Sequence, residues 1–163
     1  MSRRCCMANP EGPTLAETLQ QVALAEGFVA AQGIDLEPAL RSELFRAHLA
    51  RYDEWIEAGN AGAMSYLVRG RDRRADPRLV FPATQSLFCV LAPYPVRPPG
   101  AGTPSEGPRF ARYLNGKDYH DEVAARLERV LVQVASRRQP EDPPLEWKVC
   151  VDTSAVLERT WAA

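Results

Sequence analysis

The chain has 163 residues, the size of one ordinary domain, and 45% of them are hydrophobic, enough for a sizeable core. A formal net charge of −1 excludes global basicity, so any contact with nucleic acid must come from a local patch. No apolar run approaches the ~20 residues of a membrane helix, and "MSRRCCMANPEGP" has arginines but no apolar core of a secretory signal.

Residues 1–13 read as a disordered tail, and residues 14–163 as one domain. In "TLAETLQQVALAEG", Thr14 and Glu17 have capping-box spacing. Leu15, Leu19, Val22 and Ala23 then recur at helical period, and Gly27 is a natural stop. "FVAAQGI" reads as a short strand. A second helix is expected from Pro38 to Glu57, with Phe45, Leu49, Tyr52 and Ile56 on one face and Gly59 and Gly62 ending it. "AMSYLVR" adds a helical turn or two. The nearly all-apolar "SLFCVLAPY" predicts a central strand buried on both faces. "PVRPPGAGTPSEGPR" is an exposed loop. The period predicts a helix from about Tyr119 to Arg138, burying Val123, Leu127, Val130 or Leu131, and Val134. In "LEWKVCVD" Leu145, Trp147, Val149 and Val151 alternate with Glu146, Lys148, Cys150 and Asp152, as in a half-buried strand. "TSAVLERTWAA" starts a further helix that is still running at Ala163, so the chain is expected to be cut short, with Trp161 needing a surface to dock on.

Together these elements predict an α+β fold, with helices packed around one mixed β-sheet. The cysteines are Cys5, Cys6, Cys89 and Cys150, without a C-x-x-C motif or a nearby histidine. No metal site within this chain is expected from that spacing. Reduced thiols and a cytoplasmic location are expected.

Three stretches carry candidate chemistry. Asp152 lies where the predicted strand meets a helix, an address common to functional groups; as a helix cap, a role open to Thr153 or Ser154 too, it would need no other purpose. "RGRDRRADPR", Arg69 to Arg78, holds five arginines and two aspartates, a local charge of +3. It suits either phosphates or a solvated loop of ion pairs. "NGKDYH" gathers Lys117, Asp118, Tyr119 and His120 where a helix start needs a single cap.

Taken together, "YLNGKDYHDEVAARL" and "VDTSAVLERTWA" resemble the paired signatures of epoxyqueuosine reductases, Y-x-x-G-x-D-Y-H-x-x-x-x-x-x-L and V-D-[ST]-x-P-[VIL]-L-E-R. Upstream, "EGFVAAQGI", "GAMSYL" and "DPRLVFPATQSLFCVLAPYP" resemble further family segments in the same order, so the likeness covers about residues 15–163. Ala155 stands where the family has proline, and Gln85-Ser86 where it has [KR]-S.

The resemblance implies reduction of the epoxide of epoxyqueuosine to queuosine in a tRNA anticodon loop. It implies cobalamin as cofactor, fed by an electron donor through two [4Fe-4S] clusters. Those clusters are expected in a downstream region that this chain lacks, so the chain alone is expected to be inactive. It implies that Asp152 is the proton donor and contacts the cofactor, that Arg74 pairs with corrinoid oxygens, and that the backbone at Ala111 borders the corrinoid. Burial against the corrinoid is expected to raise the Asp152 pKa. Asp118, Tyr119 and His120 are signature residues without assigned roles. A monomer is expected. Two other readings stand beside this one: a non-catalytic module that binds a corrinoid or a protein, and a degraded gene fragment.

Overall fold

The computed structural model describes residues 12–93, 118–152 and 154–162. Most of the expected tail, the Pro/Gly-rich loop and Ala111 lie outside these residues. The described elements are helix α1 (Leu15–Ala25), strand β1 (Ala30–Asp35), helices α2 (Leu36–Leu40), α3 (Glu43–Glu57), α4 (Ser65–Arg69) and α5 (Arg71–Ala75), a 3-10 turn (Pro77–Leu79), strand β2 (Ser86–Leu91), and helices α6 (Tyr119–Ser136) and α7 (Glu158–Trp161).

The capping box forms as its spacing predicts. The Thr14 hydroxyl accepts the Glu17 N–H at 3.2 Å, and the Glu17 carboxylate accepts the Thr14 N–H at 2.7 Å. Gly27, with φ +89°, reverses the chain after α1, and Gly59 (φ +75°) and Gly62 (φ +53°) do so after α3. β1 and β2 pair antiparallel from Ala30 opposite Leu91 to Asp35 opposite Ser86.

Strand alternation gives this ribbon two faces, and each carries its own core. Ala31, Phe88 and Val90 point to one side, where Leu19, Val22 and Ala23 of α1 meet Phe28 and the fully buried Val130 and Val134 of α6. Gly33 shares that face, and a Cβ there would come within 3.2 Å of the Ala16 methyl, so α1 lies close on the strand. Ile34, Leu87 and Cys89 point to the other side, against Leu36, Phe45 of α3 and Trp161 of α7. Each fully buried large apolar side chain of this kind stabilises the fold by about 1.5–3 kcal/mol. The architecture is therefore α+β, with helices on both sides of a thin sheet, as the apolar character of "SLFCVL" requires.

Four expectations change in detail. The sheet among the described residues is a two-stranded antiparallel ribbon rather than a mixed sheet, so within them β2 pairs with β1 alone. Residues 145–152 carry no ladder; burial still alternates from Leu145 to Val149, yet no strand among the described residues lies beside them. The helix expected over Pro38–Glu57 divides at Arg41 and Ser42, because the Ser42 hydroxyl accepts the Phe45 N–H at 3.1 Å and so starts a new helix. The arginine-rich stretch is helical rather than a loop. Here Asp76 caps the turn at Pro77, accepting the Arg78 N–H at 3.0 Å.

Trp161 docks. Its ring stacks on Phe45 with centroids 4.5 Å apart, tying the last described helix to α3.

Candidate functional site

The start of α6 explains three of the four polar side chains gathered there, Lys117 lying outside the described residues. Asp118 is the cap: its Oδ1 accepts the His120 N–H at 2.9 Å and lies 2.8 Å from His120 Nδ1. The backbone N–H bond, and then the imidazole bond, hold the Asp118 carboxyl below the usual carboxylate range. One residue thus caps the helix and orients the imidazole. The Tyr119 and His120 rings stack with centroids 4.0 Å apart.

Both rings then reach across to Asp152. The Tyr119 hydroxyl donates to Asp152 Oδ2 at 2.5 Å, and His120 Nε2 lies 3.8 Å from the same oxygen. The Asp152 side chain is 65% exposed, so its carboxylate is held by protein on one side and open on the other.

Asp152 is not a helix cap. α7 begins six residues later, and its N-cap is Leu157, which makes no side-chain bond. Asp152 instead adopts φ +54°, the left-handed region that aspartate enters more readily than most residues. Its N–H donates to Glu158 Oε1 at 2.8 Å. Burial pushes the Glu158 carboxyl up, and the neighbouring Asp152 carboxylate adds to that; the Asp152 N–H and the more distant His120 oppose it. Glu158 was not singled out from the sequence, although it is the glutamate of "VLER".

Arg74 joins none of these contacts. Its guanidinium lies over the Tyr52 ring at 5.8 Å, and its Nη1 is buried without a hydrogen-bond partner. Gly70 makes room for it, since a Cβ there would come within 2.3 Å of that nitrogen. An orphaned guanidinium nitrogen fits an acceptor oxygen on a ligand. The rest of the basic stretch is partly neutralised. Arg71 grips Asp53 through two bonds of 2.8 and 2.6 Å, and Arg78 bonds Asp76 and Glu37. The Arg71 pair lowers the Asp53 pKa. The ion-pair alternative therefore holds for Arg71 and Arg78. A groove of about 460 Å³, lined by His48, Arg51, Tyr52 and Trp55 of α3 and by Arg159, runs past the 157–160 segment; Asp152 does not line it.

Among the described residues, no group of three or more His, Cys, Asp or Glu side chains is placed to hold a metal ion. No helix among them is long and apolar enough to cross a membrane.

Comparison with known proteins brings in the same segments. Residues 74–153 match the family model described as "Epoxyqueuosine reductase QueG, DUF1730". The chain is 32% identical over 148 residues to an epoxyqueuosine reductase of Synechococcus sp., covering 91% of this chain and 43% of that one. A Prochlorococcus marinus epoxyqueuosine reductase is also 32% identical over 148 residues, covering 91% of this chain and 44% of its own length. One from Pseudomonas aeruginosa is 27% identical over 159 residues, covering 96% and 41%. The chain spans less than half the length of these relatives. No solved structure gives a significant match.

Proposed function

The chain belongs to the epoxyqueuosine reductase family, and from that premise we propose that it is the cobalamin-binding part of an enzyme that reduces epoxyqueuosine to queuosine in tRNA, in the cytoplasm. The observation that carries the reading is the Tyr119–Asp152–His120 contact, in which two signature residues of one segment meet the acid of the other.

The reaction removes an epoxide oxygen as water and leaves an alkene, which takes two electrons and two protons. Cobalamin, when bound, supplies the reducing chemistry, with electrons arriving from a donor through [4Fe-4S] clusters in the region that the relatives carry beyond this match. The residues here manage the proton. Asp152, in its acid form, protonates the departing oxygen as negative charge builds on it. The Tyr119 hydroxyl steadies Asp152 Oδ2, leaving the exposed side of the carboxyl for substrate. His120, held through Nδ1 by Asp118, turns Nε2 toward Asp152 and returns a proton from solvent after each turnover. Arg74, with its unpartnered nitrogen, would hold a corrinoid amide oxygen or phosphate. Ala111 is assigned to the corrinoid border by the resemblance alone.

The test is a visible absorption titration of cobalamin with the purified chain. A saturable spectral change, weakened in Arg74→Ala, is expected. A spectrum identical to free cobalamin at every protein concentration removes the cofactor assignment from this chain.

A further inference from the structure

We propose that Glu158 is a positioning residue: by accepting the Asp152 N–H it locks the left-handed turn that aims the Asp152 carboxylate at Tyr119. The proposal builds on Asp152 as the reacting acid, but the clamp itself is a matter of geometry.

An aspartate at φ +54° sits in a sparsely populated region and stays there only if its surroundings over-determine it. Two bonds do so here. The side chain is held by the Tyr119 hydroxyl at 2.5 Å, and the backbone N–H by Glu158 Oε1 at 2.8 Å. Tyr119 alone fixes one oxygen and leaves the backbone free to return to the extended region. The Glu158 bond fixes the backbone.

Glu158 is itself well placed to serve as a fixed point. It is the first residue of α7, three residues before Trp161, whose stack on Phe45 anchors the helix in the core. Its carboxyl is only partly exposed and carries no ion pair among the described residues, so the Asp152 amide is its principal partner. Groups facing it are Asp152, His120 and, from β2, the half-buried Cys89 thiol. Holding an acid there, beside a second carboxylate and partly out of water, carries an electrostatic cost that a neutral residue avoids. The geometry accounts for its presence by the one bond that a shorter or apolar residue cannot make.

The experiment compares Glu158→Gln and Glu158→Ala in the full chain by NMR, reading hydrogen exchange at the Asp152 amide and the ring resonances of Tyr119. Glutamine keeps an acceptor oxygen at the same reach and is expected to leave both near wild type. Alanine is expected to speed exchange at Asp152 by roughly tenfold, the loss of one hydrogen bond, and to shift the Tyr119 resonances, while amides of α1 and the ribbon keep their protection. Equal protection of the Asp152 amide in the alanine variant overturns the proposal. If alanine unfolds the chain, glutamine decides: a folded Glu158→Gln chain that has lost Asp152 protection also overturns it, and retained protection supports it. None of these readouts needs cofactor, so failure of the cobalamin titration and failure of the clamp are separate results.

Discussion

The first turns of α1 and α6 each hold an acid within a short polar cluster, and they differ in where the cluster points. At α1 every polar group turns inward on its own turn: Thr14 and Glu17 satisfy each other's backbone, and the box is closed. At α6 Asp118 alone satisfies the cap and holds His120 besides. Tyr119 and His120 are left over, and both reach a residue 32 or more positions away. A helix start that is satisfied locally explains itself by stability. One that exports side chains to a distant exposed carboxylate needs a further reason.

The comparison breaks most sharply at Asp152→Asn. Asparagine tolerates positive φ as aspartate does, so folding should be unchanged. In an enzyme that includes the region its relatives carry, turnover should fall by roughly 10²–10⁴, the usual contribution of a general acid. Single-turnover epoxide reduction beside a thermal melt checks this, and near-normal turnover removes Asp152 from the reaction. Tyr119→Phe deletes the hydroxyl that steadies Asp152 Oδ2. It should lower turnover by roughly ten- to hundredfold, again without moving the melt. Thr14→Ala at the other helix start should do the reverse, costing about 1 kcal/mol in a denaturant titration with Tyr119 and Asp152 resonances unmoved.

The smallest effect is one that the two helix starts share. The folded pKa of Asp118 lies below its ordinary 3.8, and that of Glu17 below its ordinary 4.5. A depressed carboxyl contributes stability that is fully present above its ordinary value and is lost as pH falls through the folded one. Both first turns should therefore fray on acidification below those values, read by amide exchange from pH 5 downward. Asp118→Asn should abolish the effect at α6 and leave it at α1.

What could be read from the sequence was what is decided locally. Thr14 with Glu17, the glycines at 27, 59 and 62, and the apolar period of α6 each act within a few residues, and each appears as expected. The run "SLFCVL" implied packing on both faces, and both are packed, but its side chains are only half-buried and Leu91 is exposed; neighbours are set by the rest of the chain. Residues 145–152 had the right alternation but have no strand partner among the described residues. Ser42 restarted a helix inside a period that reads as continuous. In the site, Asp118, Tyr119, His120 and Asp152 were visible as motif residues, whereas their mutual contacts were not. Glu158 was missed because its bond to Asp152 depends on a left-handed residue, and no neighbour-by-neighbour pattern signals that an aspartate will turn that way.

The thin ribbon has a mechanical consequence. It is a partition one sheet thick, with α6 seated on one side and α7 on the other. Tyr119 belongs to the first layer, and Glu158 to the second. Asp152, bonded to Tyr119 on one side and to Glu158 on the other, is therefore a rivet between two independently filled compartments. Trimming Val130 to alanine, or adding bulk beside Cys89, should let one layer settle against the other, with the slip felt where the layers are joined. The tolerance of the site is thus set less by its own residues than by how stiffly two separate cores hold their spacing.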